Sequence, residues 1–223
     1  LLNTYNWQQV FIIFALSIII VMLAVPFLKN NPVATKKEIE ISLMKVLGNA
    51  FKDPNFSMIF LGFFACGYQL AFVSAHFPAM ITEMCSAISP TSILHYLSVS
   101  STSSLGAFAI ALIGFTNIFG TIYAGWLGQR FQKKYLLAGV YALRTLIGLL
   151  FIIFPITPLS VVLFSIFMGS LWLATVPLTS GLIAHIYGLR YMGTLYGLVF
   201  LSHQLGSFLG VWMGGRLYDA TGD

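Results

Sequence analysis

The sequence predicts an all-α membrane protein, a polytopic helical bundle, and three observations carry that prediction. Six apolar runs occupy roughly residues 7–28, 56–77, 104–127, 135–154, 159–183 and 192–214, and ~20 apolar residues suffice to cross the ~30 Å hydrocarbon core as a helix. Hydrophobic residues make up 58% of the chain and charged ones 8%, with a mean hydropathy of +0.91. Soluble domains carry about 25% charged residues, so this chain could not cover a water-facing surface. Nine of the eleven Lys and Arg residues fall in alternate gaps between the runs. Lys29, Lys36, Lys37, Lys45 and Lys52 lie in the first gap, Arg130, Lys133 and Lys134 in the third, and Arg190 in the fifth. Basic loops face the cytoplasm, so the chain is expected to start outside, cross six times and end outside.

These features also exclude. The net charge of +5 is not a nucleic-acid footprint, because most of it sits in loops beside anionic headgroups. Cys66 lies in the second run and Cys85 beyond it, so no disulfide framework is expected. The first run has no basic residue before it and no small-residue cleavage site, so it is not read as a secretory signal.

The first helix, residues 1–28 with their short lead, begins near Trp7 and ends before Lys29, Pro26 loosening its last turn. Residues 29–52 form the charged cytoplasmic loop. Within it Ile39, Leu43, Val46, Leu47 and Ala50 recur at helical spacing opposite Ser42, Lys45, Asn49 and Lys52, which predicts an amphipathic helix on the membrane surface; a flexible basic linker is the other reading. Residues 53–223 hold the remaining five helices. Asp53 is a candidate cap for the second. The segment 78–103 that follows is polar, with Glu83, His95 and a Ser/Thr cluster at 98–104, and it predicts an outer loop with a short helix at Ile93–Leu97. The later gaps are short, as antiparallel neighbours require.

Glycine concentrates inside the runs. Gly193 and Gly197, and then Gly206, Gly210 and Gly214, repeat at four-residue spacing in the sixth, and Gly120, Ala124 and Gly128 form a similar stripe in the third. Small residues at this spacing let backbones approach closely in lipid. Polar residues share faces too: Gln69, Phe72 and His76 in the second run with Tyr68 adjacent, Asn117 and Thr121 in the third, and Ser165, Gly169, Trp172, Thr175 and Thr179 in the fifth; the sixth has His203 and Gln204 side by side near its middle. Pro177 is expected to bend the fifth helix. The four faces together predict a water-accessible cavity; singly, each group could instead hydrogen-bond across helices.

Arg144 is the one basic residue deep in a run, where insertion costs at least ~2.5–3.5 kcal/mol. It either holds an anionic substrate or counter-ion, or anchors neighbouring helices. No Asp or Glu lies within any run, which leaves His203 as the titratable group placed for proton work. No Ser/His/Asp grouping, metal-ligand spacing or phosphate loop is present, so neither an enzyme nor a cofactor or metal is expected.

The stretch Gly125-Trp126-Leu127-Gly128-Gln129-Arg130-Phe131-Gln132-Lys133-Lys134 resembles the G-x-x-x-D-R-x-G-R-R loop motif of the major facilitator superfamily. Gly125, Arg130, Lys133 and Lys134 match; the motif's Asp is Gln129 and its second Gly is Gln132. The segments 72–79 and 206–223 resemble bacterial members related to the monocarboxylate and oxalate/formate transporters. The resemblance implies a share of a twelve-helix fold, the six runs standing for its sixth to eleventh helices, with the first five and the twelfth outside this sequence. It also implies that the second, third, fifth and sixth runs line the pathway. Eukaryotic monocarboxylate transporters carry an Asp/Arg pair in the eighth helix; the run 104–127 has neither residue.

The expected function is secondary active transport of a small solute, such as a monocarboxylate, by alternating access in the plasma (inner) membrane. Coupling to protons or to a counter-anion is left open. The expected partners are the solute, the bilayer and the remainder of the fold, with no nucleic acid. A non-transporting sensor or assembly partner on the same fold is the alternative. The expected solute-binding residues are Tyr68, Gln69, His76, Asn117, Arg144, Trp172, Thr175, Thr179, His203 and Gln204.

Overall fold

A computed structural model describes residues 6–22 and 43–222. Every regular element among them is helical: α1 (Trp7–Met22), α2 (Leu43–Lys52), α3 (Pro54–Met84), α4 (Ile93–Tyr96), α5 (Thr102–Arg130), α6 (Lys133–Ile153), α7 (Pro158–Leu171), α8 (Thr175–Tyr187) and α9 (Met192–Thr221). Residues 1–41 form one unit and 42–223 another. In the first unit, α1 starts on a reciprocal cap. Asn6 Oδ1 accepts from the Gln9 amide at 2.9 Å, and Gln9 Oε1 from the Asn6 amide at 3.0 Å. The end of the first run and most of the basic loop, including Ile39, lie outside the described residues.

The second unit is a bundle in which α3 packs along α9, α5 along α7 and α8, and α6 against α7 and α8. Among the described residues, four stretches are long and apolar enough to cross a membrane: Pro54–Met84, Thr102–Arg130, Lys133–Ile153 and Pro158–Tyr187. At 30 residues, α9 has the length, but its glycines and its Ser202–Gln204 segment dilute its apolar character. It meets α3 through a seam instead of presenting grease all round.

That seam explains the glycine spacing. A Cβ placed on Gly206 would run into the Phe64 carbonyl, and one on Gly210 into that of Tyr68. From the other side, a Cβ on Gly67 would collide with the His203 carbonyl. Backbones this close gain dispersion contacts that lipid cannot outbid. The α5 stripe works alike, Gly120 lying on the Ser170 carbonyl and Gly128 under the Leu178 side chain. Gly193 and Gly197, by contrast, face open space; they repeat the spacing without the seam.

The amphipathic helix forms as Leu43–Lys52. Ala50 is buried, with Val46 and Leu47 packed against the apolar cluster that Ala50 forms with residues of α3, α8 and α9, while Lys45, Asn49 and Lys52 stay exposed. Asp53 caps α3 by accepting from the Asn55 amide at 2.9 Å.

Two expectations about helix limits are corrected. The second helix does not stop near residue 77; it runs through Pro78 to Met84, which shortens the outer connection to about residues 85–101 around α4. Proline removes one ladder donor, and here Ser74 and Thr82 hydroxyls bond back to the carbonyls of Leu70 and Pro78 at 2.9 Å each. The continuation places Glu83 inside α3, and α9 extends far enough to include Asp219. The fifth helix is broken, not merely bent: α7 ends at Leu171 and α8 begins at Thr175. Pro177 has no N–H for the Leu173 carbonyl, and the Val176 amide takes that carbonyl at 3.0 Å in a tighter turn.

Candidate functional site

Four membrane helices bring polar side chains together at one depth. Arg144 of α6 is fully buried, and its Nη1 donates to the Cys66 sulfur of α3 at 3.1 Å. The same sulfur lies 3.6 Å from Thr175 Oγ1 at the start of α8, and His203 of α9 sits one turn away, its ring centroid 5.0 Å from that of Phe63 in α3. His203 is held in turn. Its ring stacks on Phe200 at 5.6 Å with 6° between planes, and its Nδ1 lies 3.5 Å from Ser207 Oγ. Ser207 also donates to the Gly67 carbonyl at 3.2 Å. Arg144 Nε and Nη2 have no hydrogen-bond partner. A buried cation left so incompletely matched is costly in low dielectric, and such sites in membranes are commonly functional.

The sequence reading singled out Arg144, Thr175 and His203, and the fold assembles them. It passed over Cys66, whose sulfur Arg144 and Thr175 share. A cysteine in an apolar run reads as a small hydrophobe, and only the crossing of α3 with α6 reveals its contacts.

One turn beyond this cluster a cavity of about 700 Å³ opens between α3, α6, α7 and α9. Gln69, His76, Phe151, Met168, Gly214 and Tyr218 are among its lining residues, with Glu83 and Asp219 toward one end. Gln69 faces Gly148 of α6, and His76 Nε2 lies 3.1 Å from the Val211 carbonyl, its ring filling the space that Gly214 leaves. Tyr218 donates to Glu83 at 3.2 Å. Neither Lys nor Arg lines this cavity.

The helix break forms a third feature. The Leu173 amide, freed by the interruption, donates to Asn117 Oδ1 of α5 at 2.9 Å, and Thr121 donates to the same oxygen at 3.1 Å. In lipid a broken helix persists only when such groups are satisfied by neighbours. Asn117 thus supports the break, and Trp172 sits within it as the last cap of α7. Thr179 is fully buried with its hydroxyl unpartnered. Tyr68 is half-buried on the α9 seam, and Gln204 is exposed. The structure therefore distributes most of the expected residues among a buried cluster, a cavity and a helix break, and leaves Tyr68 and Gln204 outside all three.

At the α5–α6 turn, Arg130 lies over the Trp126 ring at 4.2 Å and Lys134 over Tyr135 at 4.8 Å. Gly128 is buried, Gly125 lies near Pro177, and the stem of Lys133 crosses Gly181. The loop motif thus fastens this turn to α8. Among the described residues no group of three or more His, Cys, Asp or Glu side chains could hold a metal ion.

Comparison with known proteins agrees with this architecture. The family described as Major Facilitator Superfamily matches residues 1–211. The chain is 24% identical over 228 residues to the "Uncharacterized MFS-type transporter YcxA" of Bacillus subtilis (strain 168), a match covering 97% of this chain. It covers 51% of that relative, so the chain spans about half its length.

Proposed function

This chain belongs to the major facilitator superfamily, and from that membership we propose that it forms part of a secondary transporter carrying a small organic anion, such as a monocarboxylate, by alternating access. It is an integral, multi-pass membrane protein of a transporter family, not an enzyme; the inner membrane is the proposed location.

The observation that carries the anion reading is Arg144: a guanidinium with no exposed surface, bonded to a thiol, with two of its nitrogens unmatched. An anion would supply the missing charge where burial makes it most valuable. Alternating access is supported by the construction around it. The α3–α9 seam is shaped by backbone contact, which rigid elements can rock along, and the broken α7–α8 segment is a natural pivot. The proposed solute contacts are Arg144, Thr175 and His203, with Gln69 and His76 along the cavity; Tyr68, Asn117, Trp172, Thr179 and Gln204 are proposed to shape the pathway around them. Proton or counter-anion coupling belongs to the same proposal, with His203 as the candidate titrating group.

Glu83 and Asp219 lie toward one end of the cavity, and Glu83 is 14 residues along α3 from Gln69, roughly 21 Å at helical rise. The test is uptake of radiolabelled carboxylates by vesicles containing the full-length protein, with and without a pH gradient. Saturable uptake above empty vesicles is expected. Uptake no greater than that of empty vesicles across a broad panel of carboxylates would remove the substrate claim.

A further inference from the structure

A guanidinium presents its donors along defined edges. Nε–H and one N–H of Nη2 point in parallel and form a two-pronged fork, while Nη1 lies on the other side of the group. In Arg144 the division of labour follows those edges: Nη1 is tied to Cys66 at 3.1 Å, and the two atoms without partners are Nε and Nη2. One complete fork is thus left free on a fully buried side chain, and its spacing matches the two oxygens of a carboxylate.

We infer that the Nε–Nη2 edge of Arg144 is a bidentate carboxylate-binding fork, and that Cys66 is the positioning residue that holds it in register. The inference rests on the transport reading above and specifies how that site takes its solute. Cys66 is placed for the task because two other helices meet at its sulfur. Arg144 of α6 donates to it and Thr175 of α8 lies 3.6 Å from it. A shift of α3 or α8 therefore bears on the guanidinium through this sulfur. Access comes from the neighbouring cavity, whose residues Gln69 and Gly148 lie one turn beyond Cys66 and Arg144 on their own helices. Gln69 and Gly148 both line the cavity, and the Gln69 amide lies against Gly148. The carboxylate has two potential sources, a diffusible solute or an Asp or Glu side chain elsewhere in the full protein. The inference commits to the solute.

The experiment measures the thermal unfolding midpoint of the full-length protein in detergent against increasing formate, acetate or pyruvate, with chloride and uncharged acetamide as controls. A saturable rise with the carboxylates, and none with acetamide, is expected. Arg144→Lys keeps the charge but loses the fork, and should raise the half-saturating concentration by about tenfold or more. Cys66→Ser offers an oxygen acceptor to Nη1 and should stay within roughly threefold of the parent; Cys66→Ala should weaken binding by about tenfold. If the Arg144 variants fail to fold, the contrast between the two Cys66 variants decides, because both retain the arginine.

Equal stabilisation of the parent and Arg144→Gln would overturn the inference. So would the absence of any carboxylate effect on the parent, the result expected if the protein's own carboxylate fills the fork. Saturable binding that depends on Arg144 without any vesicle uptake would leave the fork standing and remove the transport reading.

Discussion

Asn117 carries more of the architecture than its side chain suggests. Its Oδ1 is the acceptor for the Leu173 amide that the helix break releases. Asn117→Ala should destabilise the bundle by about 0.5–1.5 kcal/mol, the net worth of a hydrogen bond, read as a lower unfolding midpoint in detergent. A second residue-scale prediction concerns Asp53. The Tyr187 hydroxyl, donating at 2.5 Å, and then the Asn55 amide hold its carboxyl below the ordinary 3.8. A depressed carboxylate contributes stability above its unfolded value and loses it as pH falls through the lower folded value. Tyr187→Phe should therefore be less stable than the parent at neutral pH, and the gap should close as pH drops below 3.8. A gap that widened on acidification would contradict this. At the same scale, Arg144 could be singled out from sequence because an arginine among apolar neighbours has a known cost. Cys66 could not, since its role comes from neighbours 78 and 109 residues away.

Among the elements, the glycine seam makes the sharpest distinction. Gly206 and Gly210 lie on the carbonyls of Phe64 and Tyr68, whereas Gly197 faces open space. Gly210→Val should force α9 away from α3, costing about 1–3 kcal/mol or more by overpacking and lowering the yield of monodisperse protein. Gly197→Ala should be tolerated and can add up to about 1 kcal/mol of helix propensity. Equal tolerance at both positions would mean that the seam does not form. The repeat of small residues was readable in the chain, but which members of it meet a partner was not. Spacing defines a face, and only the crossing of two helices decides where that face is used. Helix ends were misread for a related reason. Pro78 looks like a terminator, yet α3 continues through it to Met84, with Gly106 of α5 packed against Pro78. At Pro177 the helix opens one turn earlier, with Asn117 supplying an acceptor for the released Leu173 amide.

At the scale of the whole molecule, the apolar runs and the alternating basic gaps made the fold class legible, because lipid imposes length and charge rules that need no tertiary information. The same bias predicts sidedness. A single cysteine introduced at Gln132 in a cysteine-free full-length protein should react with a membrane-impermeant thiol reagent only after the cells are opened. One at Ser98 should react in intact cells, and the reverse pattern would invert the proposed topology. The assignment of a solute was far less legible, since it depends on where four helices place their polar groups and on the share of the pathway that other segments supply. The most direct test of the central claim is counterflow. Vesicles carrying the full-length protein are loaded with unlabelled pyruvate, which is almost wholly ionised at neutral pH, and diluted into a trace of radiolabelled pyruvate. An alternating carrier should accumulate label transiently above equilibrium, and Arg144→Gln should abolish the overshoot. Monotonic equilibration, or an overshoot unchanged in Arg144→Gln, would contradict the account.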